Sequence, residues 1–249
     1  MMTLEQFFSK NTKAAIAFSG GVDSAYLLYA AKRYGADVKA YYVKTPFQPR
    51  FEYDDALALA EQLQVPMATI RLDILSQPQI AENPQNRCYF CKKRLFSAIC
   101  EQAKRDGFDV ILDGTNFSDD PTDRPGMQAL RELQILSPLR LCQLTKEEIR
   151  RLSKEAGLFT HDKPAYACLA TRIPAGMPIT PELLAKTERS EGFMMGLGFR
   201  DFRIRITPQG AKLQIRKEQF PLLEQHRQEI FSRLNQEYGF IAETPEVRE

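Results

Sequence analysis

The sequence contains few histidines, no long hydrophobic run and no large excess of either charge. Its 249 residues include two histidines, His161 and His226, so catalysis built around a histidine base is not expected. The apolar runs are far shorter than a membrane span, and no basic segment followed by an apolar stretch begins the chain. We therefore expect a cytoplasmic protein with no membrane partner. The net charge of +2 argues against a dedicated nucleic-acid binder.

Two common nucleotide-binding motifs are also absent. The mononucleotide P-loop needs a lysine after its last glycine, and the dinucleotide fold needs G-x-G-x-x-G. The chain instead carries SGGVDS at residues 19–24, between an apolar run and the start of a helical pattern. Glycines allow a tight turn, and the N-terminus of a helix directs unpaired N–H groups at an anion. Ser19 and Ser24 add hydroxyl donors, and Asp23 is suited to a Mg²⁺ ion that bridges phosphates.

This segment resembles the signature of the PP-loop ATP pyrophosphatases. Members of that superfamily cleave ATP between the α and β phosphates and usually transfer AMP to an oxygen of the substrate. The resemblance implies that ATP and Mg²⁺ are bound by Ser19, Gly20, Gly21, Asp23 and Ser24. The alternative is a βα turn that binds no ligand.

The first two thirds of the chain alternate between strand and helix patterns. Apolar runs at residues 14–19, 38–44, 67–72 and 110–112 predict strands, and the segments 22–34, 53–63 and 92–105 predict helices. A further helix is predicted at 144–156, where Thr145 and Glu148 suit a capping box. This order predicts an α/β fold with a parallel sheet covered by helices on both faces. A ligand site is expected at the carboxyl ends of the strands, where Gly114 and Asn116 follow one strand.

The alternating pattern ends in a proline-rich stretch at residues 160–178. Beyond it, the patterns predict a helix at 180–197, a hairpin around residues 208–210 and a helix at 220–234. We therefore predict two domains. A PP-loop domain, of the adenine nucleotide alpha hydrolase-like type that the resemblance implies, spans residues 1–163, and a small α+β domain spans 164–249.

Five cysteines without an export signal indicate reduced thiols or metal ligands. Cys88 and Cys91 form a C-x-x-C that suits a redox dithiol, a zinc site completed by His161 and Cys168, an iron–sulfur cluster or two packed thiols. Cys168 lies in an irregular loop close to an arginine, which favours its thiolate.

The remaining two cysteines, Cys100 and Cys142, lie in apolar surroundings and are expected to be structural.

Several motifs together narrow the resemblance to the LarE family. They are the PP-loop, RCYFCK at residues 87–92, DGTN at 113–116, DRPG at 123–126 and ACLATRIP at 167–174. Members are ATP-dependent sulfur transferases of nickel-pincer nucleotide biosynthesis. They adenylate a carboxylate of pyridinium biscarboxylic acid mononucleotide and then replace the AMP with sulfur, which gives a thiocarboxylate. The resemblance implies a small mononucleotide substrate and assigns substrate binding and sulfur transfer to the domain at residues 164–249. We also expect a homo-oligomer.

The family has two ways of supplying sulfur. In one variant a single cysteine, matching Cys168, gives up its own sulfur and becomes dehydroalanine. In the other, three cysteines hold a [4Fe-4S] cluster that delivers sulfide or sulfur from another donor. Because Cys88, Cys91 and Cys168 are all present, this chain resembles the cluster variant.

Four further residues are expected at the site. Arg203 and Arg205 alternate on a strand and resemble a family Arg-x-Arg that binds the substrate phosphate, although a solvated outer face is the alternative. Glu191 resembles a family active-site acid or metal ligand, with a surface i,i+3 pair as the alternative. Arg124 either contacts the nucleotide or anchors its turn. The competing functions are tRNA thiolation, amidation with ammonia and a regulator without catalysis.

Overall fold

The computed structural model describes residues 2–119, 125–242 and 244–248. The chain divides into two compact units. The first unit comprises Met1–Ile74 and Asn86–Lys163, and the second comprises Leu75–Gln85 and Pro164–Glu249. The sequence analysis assigned residues 75–85 to the first domain, whereas the structure groups them with the C-terminal part. None of the described helices is both long enough and apolar enough to cross a membrane.

The helices follow one another along both units. In chain order they are α1 (Leu4–Lys10), α2 (Val22–Arg33), α3 (Arg50–Gln62), α4 (Pro78–Ala81), α5 (Arg87–Arg105), α6 (Pro125–Glu132), α7 (Pro138–Leu141), α8 (Lys146–Glu155), α9 (Pro181–Gly196) and α10 (Phe220–Tyr238). Of these, α4 and the last two belong to the second unit.

The first unit contains a four-stranded parallel sheet, which confirms the predicted fold class. Its strands are β1 (Lys13–Ala17), β2 (Asp37–Lys44), β3 (Met67–Arg71) and β4 (Ile111–Leu112), in the order β3-β2-β1-β4. Ile16 belongs to an apolar cluster with α2, whereas its neighbour Ala15 belongs to another with α5. The central strand is therefore buried on both faces, as a parallel sheet requires.

Two helix boundaries differ from the prediction in a way that affects the site. Helix α5 begins at Arg87 rather than at residue 92, so the C-x-x-C forms its first turn. The first turn, RCYFC, shows no helical spacing of apolar residues, and the N-cap Asn86 makes no side-chain capping bond, so the boundary was poorly marked in the sequence. In contrast, Thr145 and Glu148 form the predicted capping box at the start of α8.

The second unit combines a small sheet with α9 and α10. The strands β5 (Arg203–Thr207) and β6 (Gly210–Ile215) form the predicted hairpin, and β7 (Glu246–Val247) pairs with β6. A separate apolar cluster fills this unit and includes Met194, Phe202, Ile204, Leu213, Leu223, Ile230 and Leu234.

The segment around α4 is joined to the rest of the second unit by hydrogen bonds. The buried Asn83 donates from Nδ2 to the carbonyl oxygens of Ile173, Pro174 and Met177 at 3.3, 2.8 and 3.1 Å. Asn83 has a φ of 57°, a left-handed conformation that asparagine tolerates better than most residues. One side chain therefore holds the loop that follows Cys168.

Candidate active site

The turn between β1 and α2 is built around Gly20. This residue has a φ of +74°, and a Cβ there would lie 3.1 Å from Ala56 Cβ and 3.2 Å from the carbonyl oxygen of Glu52. Glycine is therefore required both by the left-handed backbone and by the close approach of α3. Gly21 follows as the N-cap of α2 and leaves the first N–H groups of the helix without side-chain caps.

The two serines of the turn contact each other. Ser24 Oγ donates to the Gly21 carbonyl at 3.2 Å, lies 3.2 Å from Ser19 Oγ and accepts from the Ser19 N–H at 3.3 Å. Ser19 Oγ in turn accepts from the Gly21 N–H at 3.4 Å. These bonds shape the turn in advance of any ligand, so its donors are pre-organised for an anion.

The carboxylate of Asp23 lies between two side chains from distant parts of the first unit. Lys146 Nζ is 2.5 Å from Asp23 Oδ2, and Asn116 Nδ2 donates to Asp23 Oδ1 at 3.3 Å. Lys146 is the first residue of α8, and its N–H donates to Ser118 Oγ at 3.0 Å. The structure thus brings the predicted residues Asp23 and Asn116 together.

Lys146 was missed by the sequence analysis, which treated it as part of a capped surface helix. Its contact with Asp23 spans 123 residues, so no local pattern could reveal it. The only available signal was the Thr145 cap, because a capped helix start brings its first side chains close to the preceding loop.

The loop after β4 packs directly against the start of α2. A Cβ at Gly114 would lie 2.9 Å from the Ser24 backbone nitrogen and 3.1 Å from Ser24 Cα. The buried Asp113 fixes this loop, since it accepts from Ser137 Oγ at 2.6 Å and from Thr115 Oγ1. Gly114 is therefore needed for a close backbone approach beside the turn. Arg124 lies outside the described residues.

The C-x-x-C occupies the first turn of α5 in the first unit. Cys88 is exposed and Cys91 is partly exposed, and the guanidinium of the buried Arg87 lies 3.8 Å from Cys88 Sγ. Burial raises the pKa of Cys100 and Cys142, as expected for packed structural thiols.

Cys168 lies in the second unit, immediately before a 3-10 helix at Leu169–Arg172, and is partly exposed. Its carbonyl accepts from the Thr171 N–H at 2.9 Å, from Thr171 Oγ1 at 2.7 Å and from Arg172 Nη1 at 3.4 Å. Within neither unit do the described residues gather three or more His, Cys, Asp or Glu side chains that could hold a metal ion.

Arg203 and Arg205 both contact the loop that carries Cys168. Arg203 Nη2 donates to the Ala165 carbonyl at 2.5 Å, and Arg205 Nη1 donates to the Thr171 carbonyl. Arg203 is only 4% exposed, so the alternative of a solvated outer face is wrong for it. Burial, together with the neighbouring Arg172 and Arg248, lowers the pKa of Arg203 to about 10 and also lowers the pKa of Arg205. The pair thus carries positive charge that the protein does not fully balance.

Glu191 is buried at 1% exposure, so the alternative of a surface pair is wrong. Its Oε1 accepts from Arg172 Nε at 2.8 Å and from the Ile204 N–H at 3.0 Å. Its Oε2 accepts from Arg172 Nη2 at 2.8 Å and from the Tyr166 hydroxyl at 2.6 Å. Its role in catalysis or metal binding stays a prediction.

A strand, a glycine turn with paired serines and a helix N-terminus, all on a parallel sheet, define a PP-loop nucleotide fold. Residues 13–84 match the family model described as queuosine biosynthesis protein QueC. The uncharacterized protein slr1717 of Synechocystis sp. is 36% identical over 217 residues, which is 87% of this chain and 81% of that protein.

Two further relatives are sulfur-transfer enzymes by name. The pyridinium-3,5-bisthiocarboxylic acid mononucleotide synthase of Lactiplantibacillus plantarum is 31% identical over 205 residues, covering 82% of this chain and 74% of that protein. The tRNA-specific 2-thiouridylase MnmA of Pseudothermotoga lettingae is 28% identical over 187 residues, covering 61% and 54%. The chain therefore belongs to the LarE family and is an ATP-dependent PP-loop sulfur transferase.

Proposed function

We propose that this protein adenylates a carboxylate of pyridinium biscarboxylic acid mononucleotide and converts it to a thiocarboxylate, in nickel-pincer nucleotide cofactor biosynthesis. The likeness to the Lactiplantibacillus synthase, which extends over 82% of the chain, carries this proposal. The pre-organised PP-loop supports the ATP-dependent half of the reaction.

In the adenylation half, the 19–24 turn and the start of α2 bind the phosphates of ATP, with Gly114 and Asn116 on the nucleotide side. Asp23 holds the Mg²⁺ that accompanies ATP, and Lys146 shifts from Asp23 to a phosphate oxygen. A substrate carboxylate oxygen then attacks the α-phosphorus and pyrophosphate leaves. Positive charge at the phosphates stabilises the transition state, which is the largest contribution in phosphoryl transfer.

The substrate phosphate is proposed to bind Arg203 and Arg205. The lowered pKa of both guanidiniums supports this, because burial and the neighbouring Arg172 and Arg248 disfavour their charge, and an incoming anion would offset that cost. We expect Arg205→Ala to raise the KM for the mononucleotide about tenfold, the loss of one charge-assisted bond, and to leave the KM for ATP unchanged. Arg227→Ala, on the surface of α10, is the control. An unchanged KM for the mononucleotide would contradict this assignment.

The sulfur is proposed to come through a [4Fe-4S] cluster held by Cys88, Cys91 and Cys168. The chemistry of the donor set supports this, since cysteine thiolates are the usual ligands of such a cluster and each of the three is at least partly exposed, whereas burial raises the pKa of Cys100 and Cys142. Held by three thiolates, such a cluster would supply one iron with an open position for sulfide. The protein's own contribution would be to provide the three cysteine side chains and to hold the acyl adenylate by its phosphates.

The decisive experiment combines anaerobic purification with iron and sulfide analysis of single variants. Cys88→Ala, Cys91→Ala and Cys168→Ala should each lose the cluster, whereas Cys100→Ala and Cys142→Ala should keep it. If Cys168 is instead sacrificed, only Cys168→Ala is inactive, and intact-mass spectrometry after turnover shows the loss of H₂S. Dehydroalanine at position 168 in an active, iron-free protein would overturn the cluster proposal and leave the adenylation proposal standing.

The tRNA-thiolating relatives favour a second candidate, thiolation of a tRNA base. Pyrophosphate release separates the two, because the proposed enzyme depends on the pyridinium mononucleotide and a tRNA enzyme depends on tRNA. Pyrophosphate release that is stimulated by tRNA alone would favour tRNA thiolation over the proposed function.

A further inference from the structure

The most completely bonded polar group of the second unit is the guanidinium of Arg172. Its side chain is 0% exposed, and it pairs with the equally buried Glu191. Two of its nitrogens form the bidentate pair with Glu191, at 2.8 Å each. The third nitrogen donates to the carbonyl of Ala167 at 2.8 Å, to Thr171 Oγ1 at 3.0 Å and to the carbonyl of Cys168 at 3.4 Å.

Glu191 connects this guanidinium to two rigid elements. It belongs to α9, and its Oε1 accepts the N–H of Ile204 on β5, the edge strand of the small sheet. That edge N–H would otherwise be left unpaired and buried. The carboxylate thus connects the helix and the strand to Arg172. Arg172 in turn donates to the carbonyls of residues 167 and 168, so the backbone beside Cys168 is held by the same set of bonds.

Tyr166 completes the arrangement. Its hydroxyl donates to Glu191 Oε2 at 2.6 Å, and its ring lies under two guanidiniums, with centroid distances of 4.5 Å to Arg172 and 5.3 Å to Arg203. Stacking of this kind fixes the planes of the arginines as well as their positions. Burial of so many ionic groups brings no evident gain in stability over an apolar core, so a positional role accounts for it better.

We propose that Arg172 is a positioning residue for Cys168, held in place by Glu191 and Tyr166, and that it fixes the loop so that the thiol has one orientation for sulfur transfer. The proposal rests on the proposed role of Cys168 as a sulfur-transfer ligand or donor. It assigns Glu191 to the support of Arg172, since its two oxygens already accept four hydrogen bonds.

The test replaces the ion pair with apolar side chains of similar length, in the double variant Arg172→Met/Glu191→Leu. Removing one partner alone would leave a buried charge, whereas removing both often preserves the fold. Tyr166→Phe and Thr171→Val are milder variants that each delete one hydroxyl of the arrangement and keep the shape. Arg189→Ala, on the same helix as Glu191, removes an ion pair with Glu237 of α10 and is the matched control.

Two measurements are made on each variant. The first compares pyrophosphate release with formation of thiolated product. The second follows alkylation of Cys168 by iodoacetamide in the metal-free protein, by peptide mass spectrometry, with Cys88 in the same molecule as the internal reference. We expect the double variant to lose at least tenfold in thiolated product with less than threefold change in pyrophosphate release. Its Cys168 alkylation rate should change more than threefold, and the Cys88 rate should not.

Product formation and Cys168 alkylation at parental values in the double variant would overturn the proposal. If that variant does not fold, parental values of both measurements in Tyr166→Phe and Thr171→Val would overturn it equally. Failure of the proposed function has a different signature, since the parent protein itself would then form no thiolated product from the mononucleotide, while the alkylation measurement still reports whether Arg172 orders the loop.

Discussion

The two units build polar sites by different means. In the first unit, backbone geometry sets the site, because a glycine turn, a helix N-terminus and a close contact at Gly114 place the donors. In the second unit, buried side chains do so, because Arg172, Glu191 and Arg203 hold a loop that has little regular structure. The comparison teaches that one short segment, residues 19–24, can contain most of a phosphate site. The loop of Cys168, in contrast, is held by side chains from several helices and strands.

The largest expected effect is on the first unit. Asp23→Asn keeps the volume of the side chain but removes the charge that faces Mg²⁺, so pyrophosphate release should fall about 100-fold. The thermal unfolding midpoint should stay near the parental value. Asp37→Asn, at the exposed start of β2, is the control. Parental pyrophosphate release in the Asp23 variant would show that the turn does not act as a PP-loop.

Lys146 tests whether the first unit also depends on a distant side chain. Lys146→Met should lower pyrophosphate release about tenfold and raise the KM for ATP, because one charge-assisted phosphate contact is lost. Lys154→Met, exposed in the last turn of the same helix, should behave like the parent protein. Parental activity in the Lys146 variant would mean that ATP is bound by the backbone of the turn and by Asp23 without help from Lys146.

Two glycines sharpen the claim that backbone geometry builds the nucleotide turn. Gly157→Ala meets no atom within 4 Å and has a φ of +69°, so it should cost about 1 kcal/mol from backbone strain alone. Gly20→Ala adds contacts with α3 and should cost about 1–2 kcal/mol more. Urea unfolding of both variants measures the difference in the free energy of unfolding. Equal losses of stability would mean that α3 moves away from the added methyl group without an energetic cost.

The smallest expected effect concerns pH. Burial raises the pKa of Glu52, and the ion pair with Lys163 only partly offsets this. The folded state therefore holds the proton more tightly than the unfolded state, so the contribution of Glu52 to stability falls as pH rises above its unfolded pKa. The stability of Glu52→Gln relative to the parent should increase over the same rise in pH, as measured by urea unfolding. A relative stability that decreases would contradict this sign.

Local signals predicted much of the first unit. The turn at residues 19–24 and the capping box at Thr145 depend on neighbours in the chain, and the alternation of strands and helices is regular enough to give the parallel sheet. The early start of α5 escaped prediction because its first turn carries no apolar period.

Contacts between distant residues could not be predicted in the same way. Nothing near Lys146 indicates Asp23, and nothing in the helix that contains Glu191 distinguishes a buried carboxylate from a surface one. Glu191 is buried because β5 and the loop at residue 172 pack against its face of α9, and the sequence of the helix alone does not show this packing. The roles of Arg203 and Arg205 remain predictions, although Arg203 is buried and Arg205 is partly buried.

The bonds made by Asn83 also have a consequence for the order in which the protein matures. Its three carbonyl partners lie 90 to 94 residues further along the chain. During synthesis on the ribosome, the segment Leu75–Gln85 emerges well before those partners, whereas the strands of the parallel sheet are all available by residue 112. The ATP-handling half can therefore assemble while translation continues, and the half that carries Cys168 must wait for the later part of the polypeptide.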